Sequence, residues 1–218
     1  REEGSDGKPV GTVVKGTVGG DSDGMLLDML DKLGIAAWFT DMEGSVDNCN
    51  KTACALVERE KSEVMGLVLA DELVSDPYKP TAKDAVSKGI GGEESDQVFI
   101  TVVAKSGSEV DLTSEVGPRV GSGGVITGCM VLGQKLSGNE LAFKLDAAGK
   151  VVGCNGGAVQ ALGLSKPEDV IGKDFVGDLV NAGAKEDVGG AIGKALGGEA
   201  QSGQAMALEG KDGAKVPM

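Results

Sequence analysis

The sequence predicts an α+β fold: an antiparallel five-stranded sheet with short helices on one face, repeated in tandem. Three observations support this prediction. Strand-like and helix-like patterns follow one another in a fixed order, and the order returns about 105 residues later. Hydrophobic residues make up 40% of the 218 positions, which is enough for a packed core in each unit. Because aromatic residues make up only 3%, that core must be largely aliphatic.

The repeat is an ordered series of matches at a nearly constant spacing. Residues around one turn recur 105 positions later, so that Asp41, Gly44, Cys49 and Asn50 correspond to Asp146, Gly149, Cys154 and Asn155. Later matches are 106 positions apart, so that Gly66, Leu73, Gly91, Lys105 and Gly107 correspond to Gly172, Leu179, Gly197, Lys211 and Gly213. One inserted residue explains the change of spacing. We therefore expect two superposable units with Cys49 and Cys154 in equivalent places.

The first unit begins with a hairpin. The turn Asp41–Gly44 separates the apolar run Ala37–Thr40 from the extended pattern Ser45–Asn48. Short helical stretches follow, and apolar residues at helical spacing predict a longer helix over Lys79–Ile90. The pair Gly91-Gly92 is expected to end that helix.

Three strands are expected to complete the first unit. They cover Gln97–Ala104, Glu109–Val116 and Val125–Leu132, with a turn at Lys105–Ser108 between the first two. The second unit begins in the same way, with the turn Asp146–Gly149 between strands at Leu141–Leu145 and Lys150–Gly153.

An amphipathic helix is predicted to lead into the first unit, over Met25–Leu33. Its apolar side chains are expected on one face: Met25, Leu26, Met29, Leu30 and Leu33. The candidate N-caps are Asp21, Ser22 and Asp23.

The two ends of the chain suggest a slice of a longer repeat array. The proposed domains are a closing strand or strand-addition segment at 1–20, a linker helix at 21–33, a complete unit at 34–136 and a second unit at 139–218 lacking its last strands. Val10–Val18 is similar in pattern to the closing strand Gly123–Gln134. We hypothesise that it pairs with a sheet edge of the second unit, of a neighbouring copy or of a partner protein.

Composition excludes several functions. The charge of 21 − 34 = −13 repels phosphate backbones, so nucleic acid is not expected as a partner. The absence of His removes the commonest general base, metal ligand and haem ligand. No apolar run approaches transmembrane length, and Arg1–Gly7 is polar rather than a signal peptide. A soluble protein is expected, of the cytoplasm or of an organelle such as a plastid.

These elements and motifs together resemble the PAS family. The residues that carry the resemblance in the first unit are Asp41–Gly44, Asn50, Lys61–Gly66, Lys105–Ser108 and the closing strand Gly124–Gln134. In the second unit they are Ser165–Asp174 and Lys211–Ala214. The pattern is similar to multi-PAS proteins of algae and other protists. The resemblance implies a PAS-type sheet and a binding module, because PAS domains sense small ligands, hold cofactors or bind partners.

The resemblance also tests the family's cofactors. Flavin photosensors of this family carry a reactive Cys at the positions that match Gly66–Leu69 and Gly172–Phe175, and neither segment has one. Haem sensors mostly use an axial His, which leaves only Met or Cys ligation open. We therefore expect no bound flavin, no haem and no metal; Cys49 and Cys54 do not have zinc spacing.

Five residues are candidate pocket-lining residues: Trp38, Cys49, Asn50, Cys154 and Asn155. The alternative for the two Cys is a small buried core residue, for the two Asn a helix cap, and for Trp38 core packing. No nucleophile–base set and no phosphate-binding loop is present, so no enzyme activity is expected.

The sequence therefore favours a non-catalytic docking or scaffold subunit of a larger assembly. Its partners are expected to be other protein chains or PAS units of the same array. The alternative is a sensor of an unknown small ligand whose output domain lies elsewhere.

Overall fold

The structure, a computed structural model, describes residues 22–138, 140–201, 207–210, 213 and 215–217. The hypothesis that Val10–Val18 adds a strand to a sheet lies outside the described residues, as does the predicted cap Asp21. Within the described part of the chain, no helix is both long enough and apolar enough to cross a bilayer.

The first unit contains the predicted order of elements. Its helices are α1 (Ser22–Lys32), α2 (Lys51–Leu56), α3 (Lys61–Val64) and α4 (Lys79–Ile90). Its strands are β1 (Ala36–Thr40), β2 (Val46–Cys49), β3 (Ser95–Val103), β4 (Glu109–Val120) and β5 (Ile126–Lys135). A π-helical turn at Leu69–Leu73 and a 3-10 turn at Asp76–Tyr78 connect α3 to α4. The last two strands extend beyond the predicted ranges at their C-terminal ends.

The five strands form one antiparallel sheet in the order β2-β1-β5-β4-β3. One face packs against α2, α3 and α4 and contributes Trp38, Ile100 and Leu112 to the main core. The strand alternation sends Ala37 and Phe39 to the other face, where α1 covers them. The predicted α+β fold with helices against an antiparallel sheet is confirmed.

The second unit repeats this plan from the counterpart of β1 to the counterpart of β4. It contains β6 (Phe143–Leu145), β7 (Val151–Cys154), α5 (Gly156–Ala161), a π-helical turn (Phe175–Leu179), α6 (Lys185–Leu196), β8 (Ala207–Glu209) and β9 (Lys215–Pro217). The strands form two separate antiparallel pairs, β6-β7 and β8-β9, rather than one sheet. The described residues include no counterpart of β5.

The repeat is confirmed at the level of single contacts. Trp38 pairs with Cys49 in the first hairpin, and Phe143 pairs with Cys154 in the second. The isolated bridge between Val74 and Val102 also recurs 106 residues later, between Val180 and Leu208. Cys49 and Cys154 therefore occupy equivalent places, as predicted.

The hairpin turns are formed by the side chain that the motif supplies. The Asp41 carboxylate accepts hydrogen bonds from the backbone N–H groups of Glu43 and Ser45 at 3.0 and 2.8 Å. Gly44 follows with φ +81°, a conformation that glycine adopts without steric strain. Asp146 accepts from Ala148 and Lys150 in the same way. The Asp-x-x-Gly motif thus sets the geometry of both turns.

Helix α1 lies where it was predicted but presents a different face to the sheet. Leu27 and Leu30 are its buried residues, packed on Ala37 and Phe39, and Leu26 is partly buried. Three of the five residues of the predicted apolar face, Met25, Met29 and Leu33, are exposed in this chain, so the expectation that the face packs on the sheet or pairs with another chain stays a prediction for them.

Candidate docking surface and unit interior

The interior of the first unit is almost completely filled. Between the sheet and the helices lies a cavity of about 10 Å³. It is lined by Trp38, Leu69, Leu73, Ile100, Val102, Leu112, Ser114 and Val131. This volume is at the lower limit for one water molecule.

Trp38, the first candidate pocket residue, is only 2% exposed and packs in the main core. Its Nε1 and the Oγ of Ser114 are buried and have no hydrogen-bond partner among the described residues. Both residues line the small cavity. These two groups are the polar atoms that a guest in this interior would have to satisfy.

Asn50 joins the first strand to the second helix. Its Oδ1 accepts hydrogen bonds from the backbone N–H groups of Ala37 at 3.0 Å and Ala53 at 2.9 Å. Its Nδ2 donates to the carbonyl of Ile35 at 2.8 Å. Asn50 is 4% exposed, and it is the N-cap of α2. The side chain therefore serves backbone groups of its own unit.

Asn155 makes the same three bonds in the second unit. Its Oδ1 accepts from the N–H groups of Ala142 at 3.0 Å and Ala158 at 3.1 Å, and its Nδ2 donates to the Glu140 carbonyl at 2.7 Å. Each partner lies 105 residues after its counterpart. The repeated Asn is thus a structural clamp in both units, which the capping interpretation anticipated only in part.

The two candidate Cys border different surface grooves. Cys49 and Asn50 lie at the edge of an open groove of about 710 Å³ between α1 and α2, with the Cys54 sulfur 3.5 Å from that of Cys49. Cys154 borders a groove of about 420 Å³ between the two units. Burial, with a smaller contribution from the nearby charges of Glu168 and Asp111, raises the pKa of the Cys154 thiol to about 12. Cys154 is therefore a protonated, weakly reactive thiol at neutral pH.

Helix α1 carries an apolar surface that is exposed among the residues that the structure describes. Met25 and Met29 of α1 and Leu33, the residue directly after it, follow one another at four-residue intervals and are 77%, 42% and 65% exposed; we call them the α1 stripe. A spacing of four residues places side chains on the same side of a helix. Adjacent exposed apolar side chains of this kind are typical of protein interaction surfaces.

The helix that carries the stripe is fixed to the first unit by polar contacts at both ends. Near its start, Asp23 accepts a hydrogen bond from the Arg119 guanidinium at 2.7 Å, and Arg119 also binds Asp47 and lies over the Phe39 ring. Near its end, Asp31 accepts hydrogen bonds from α2, as described next. The α1 stripe is therefore presented in a defined orientation.

Asp31 caps α2 from outside that helix. Its carboxylate accepts the backbone N–H of Thr52 at 2.8 Å and of Lys51 at 3.2 Å, and the Thr52 hydroxyl at 2.8 Å. Burial raises the pKa of this carboxyl, but the hydrogen bonds from Thr52 and Lys51 outweigh it, and the net pKa lies below the ordinary value. Asp31 thus anchors α1 as a carboxylate, which binds the N–H groups at the start of α2 that have no partner within that helix.

Asp111 plays the equivalent part for the second unit. From β4 of the first unit, its Oδ2 accepts the backbone N–H of Gly157 at 2.8 Å, while its Oδ1 accepts the Thr101 hydroxyl at 2.6 Å. Gly157 is the counterpart of Thr52, 105 residues later. Nearby, the Lys144 ammonium donates to the carbonyl of Asp96 at 2.6 Å. These contacts join the two units across the groove between them.

Sequence reasoning missed Asp31, Asp111 and the exposure of the α1 stripe. Asp31 and Asp111 are not at matching positions of the repeat, so no repeat signal marks them. The contact between Cys49 and Cys54, in contrast, could have been predicted from the sequence. They stand on either side of the cap Asn50, at the positions before and four after it, where side chains are expected to touch.

Comparison with known proteins agrees with this architecture. A family model described as "PAS fold" matches residues 24–136, and a second, described as "PAS domain", matches residues 140–217. No curated protein matches the chain.

Similar solved structures cover about half of the chain. A PAS domain of a Colwellia psychrerythraea protein is 18% identical over 53% of this chain and 98% of its own, with a TM-score of 0.45. A PAS domain of an HTR-like protein from Haloarcula marismortui is 16% identical over 53% and 98%, with a TM-score of 0.42. A light-oxygen-voltage protein from Rhodobacter sphaeroides is 14% identical over 54% and 69%, with a TM-score of 0.45.

Proposed function

The chain belongs to the PAS family, and on that premise we propose that it is a non-catalytic tandem PAS module that docks to other proteins as a scaffold subunit of a larger assembly. One observation carries the choice of docking. The cavity inside the first unit, about 10 Å³, is too small for a metabolite, so binding is expected at the surface rather than in the core.

The α1 stripe is the surface we assign to docking. Met25 and Met29 are exposed on α1 and Leu33 is exposed directly after it, while another side of the helix is fixed to the sheet by Leu27 and Leu30. A partner that covers the stripe would bury apolar area at about 25 cal/mol per Å² without rearranging the unit. Because the helix is already ordered and oriented, little conformational entropy is lost on binding.

The partner we propose is a protein with an apolar contact face bordered by basic residues. The chain carries a charge of −13, so two copies repel one another and a basic partner is attracted. Asp28, exposed beside the stripe, adds a negative charge at the contact itself. Self-association of this chain is the competing outcome.

Native mass spectrometry of the protein purified with its natural partners tests the proposal. We expect a partner chain at fixed stoichiometry and no bound small molecule. Replacing the stripe (Met25→Gln, Met29→Gln, Leu33→Gln) should remove the partner. The matched control is Met42→Gln with Met65→Gln, which changes two methionines of 47% and 38% exposure outside α1 and should keep it. A complex that survives loss of the stripe, or a dimer of this chain alone, contradicts the proposal.

The second candidate, small-molecule sensing, is favoured by one feature. Trp38 Nε1 and Ser114 Oγ have no hydrogen-bond partner in the part of the chain that the structure describes, and both residues line the same small cavity. A guest that hydrogen-bonds to both would relieve two unsatisfied polar groups. Sensing requires the interior to expand around such a guest, and a small molecule retained at one per chain in the same mass spectra would favour it over docking.

A further inference from the structure

The groove beside α1 contains two thiols in contact. The sulfur of Cys49, at the end of β2, lies 3.5 Å from the sulfur of Cys54, in the first turns of α2. Both are free thiols. A disulfide requires about 2.05 Å between sulfurs, so a movement of about 1.5 Å would join them.

The contact is a consequence of how the helix starts. Asn50 is the N-cap of α2, and Cys49 and Cys54 are the residues just before the cap and four after it. Side chains at these two positions pack against each other and fix the angle at which the chain enters the helix. The two sulfurs are therefore held together by the fold and need not find one another by a large motion.

The second unit has no second thiol at the equivalent helix start. Cys154 corresponds to Cys49, but Val159 takes the place of Cys54. Cys154 and Val159 are both buried in the core of the second unit. Packing at this helix start is thus satisfied by one thiol and one valine, and packing alone does not require a pair of thiols in the first unit.

The pair is also accessible on one side. Cys49 is 2% exposed, whereas Cys54 is partly exposed, and both line the open groove of about 710 Å³. Burial, together with the hydrogen bond to Cys54, raises the pKa of the Cys49 thiol to about 12. Cys54 is therefore the thiol that meets a reagent first, and Cys49 is the protonated partner held beside it.

We propose that Cys49 and Cys54 form a reversible dithiol–disulfide site that is oxidised by hydrogen peroxide. The Cys54 sulfur attacks one oxygen of hydrogen peroxide and the O–O bond breaks. The departing hydroxide takes up the proton of the Cys54 thiol, so that a sulfenic acid and one water are formed. The Cys49 sulfur then attacks the sulfenic sulfur, its proton leaves with the departing hydroxide as a second water, and the S–S bond forms. In total, two thiols lose two hydrogen atoms and one peroxide is reduced to two waters.

The whole chain can be tested with hydrogen peroxide, followed by alkylation of free thiols with N-ethylmaleimide in denaturant and digestion with trypsin. Trypsin cuts after Lys51, between the two cysteines, so the disulfide appears as peptide 33–51 joined to peptide 52–59. We expect this crosslink as the main product, with Cys129 and Cys154 fully alkylated and the crosslink removed by dithiothreitol.

The matched variant is Cys54→Val, which copies the residue found at the equivalent place of the second unit. It should fold, form no crosslink and leave Cys49 as a thiol. Four alkylated cysteines in the peroxide-treated wild type overturn the proposal. So does a dominant disulfide between chains or to Cys129, or Cys54 oxidised beyond the sulfenic acid beside a free Cys49.

Discussion

The carboxylate of Asp111 accepts the backbone N–H of Gly157 at 2.8 Å, and this bond links the sheet of one PAS unit to a helix start of the next. Asp31 makes the same bond to Thr52, the counterpart of Gly157, from helix α1. Each unit thus has a carboxylate from the preceding element on the same helix start. Helix α1 supplies this carboxylate to the first unit, and strand β4 of the first unit supplies it to the second unit.

Removing the Asp111 carboxylate should loosen the junction between the units. For Asp111→Ala we expect amide hydrogen exchange at Gly157 to rise about tenfold, since a hydrogen bond to a charged group contributes about 1.5 kcal/mol or more. The control Glu115→Gln changes an exposed charge on the same strand and should leave exchange at Gly157 unchanged. Equal exchange in both variants would show that Asp111 does not hold the units together.

Asp31 should make the anchoring of α1 depend on pH. Its pKa in the folded chain is below the ordinary value, so its stabilising contribution is complete above the unfolded pKa of about 3.9 and is lost as pH falls through the lower folded pKa. We expect the unfolding free energy of wild type to exceed that of Asp31→Asn by a constant amount above about pH 5, and the difference to shrink below about pH 4. Thermal or urea unfolding across this range measures it. A difference that grows toward acid pH contradicts the assignment.

The clamp residues should be costly to remove in either unit. Asn50→Ala leaves the buried N–H of Ala37 without a partner and removes the cap of α2, for an expected loss of about 3 kcal/mol. Asn155→Ala should cost the second unit a similar amount. Urea unfolding monitored by hydrogen exchange measures the loss of stability in each unit separately. The control Asn48→Ala, at a more exposed neighbour, should cost less than about 1 kcal/mol; a loss for Asn50→Ala no larger than this would rule out the clamp.

Gly128 is the position in the first unit where a side chain is least tolerated. Its φ is +151°, and an added Cβ would lie 1.8 Å from the carbonyl oxygen of Thr40 on the neighbouring strand. We expect Gly128→Ala to lose more than about 4 kcal/mol and to disrupt the sheet, as seen by circular dichroism. Gly24→Ala is the control. It has open space in α1 and should gain about 0.5–1 kcal/mol from helix propensity.

The sequence predicted what local patterns determine. The turn at Asp41, the helix ended by Gly91 and the 105-residue repeat were all readable, because each depends on neighbours along the chain or on an identical copy. The rotation of α1 was not, since Leu27 is as apolar as Met25 and the pattern fits two faces that differ by a fraction of a turn. Packing on the sheet decides between them.

The contacts that join elements were also beyond the sequence. Asp111 and Gly157 are 46 residues apart, and their bond depends on how one unit rests on another, which no local period encodes. There was only a weak indication in the sequence that the interior of the first unit is filled. Aliphatic residues predicted a core, but whether they leave a cavity depends on the fit of side chains from several strands and helices, which composition does not fix.

The closed interior gives the last prediction. Purified protein should show neither a Soret band nor a flavin peak, and adding riboflavin or haem should not change its absorbance spectrum. The reason is volume, because about 10 Å³ lined mostly by aliphatic side chains admits neither ring system. Leu73→Ala supplies the comparison. It should open an apolar cavity at a cost of about 2–5 kcal/mol and bind benzene, while wild type binds none. Benzene or flavin binding by wild type at one per chain would show that the interior expands for a guest, and the case for docking over sensing would then lose its main support.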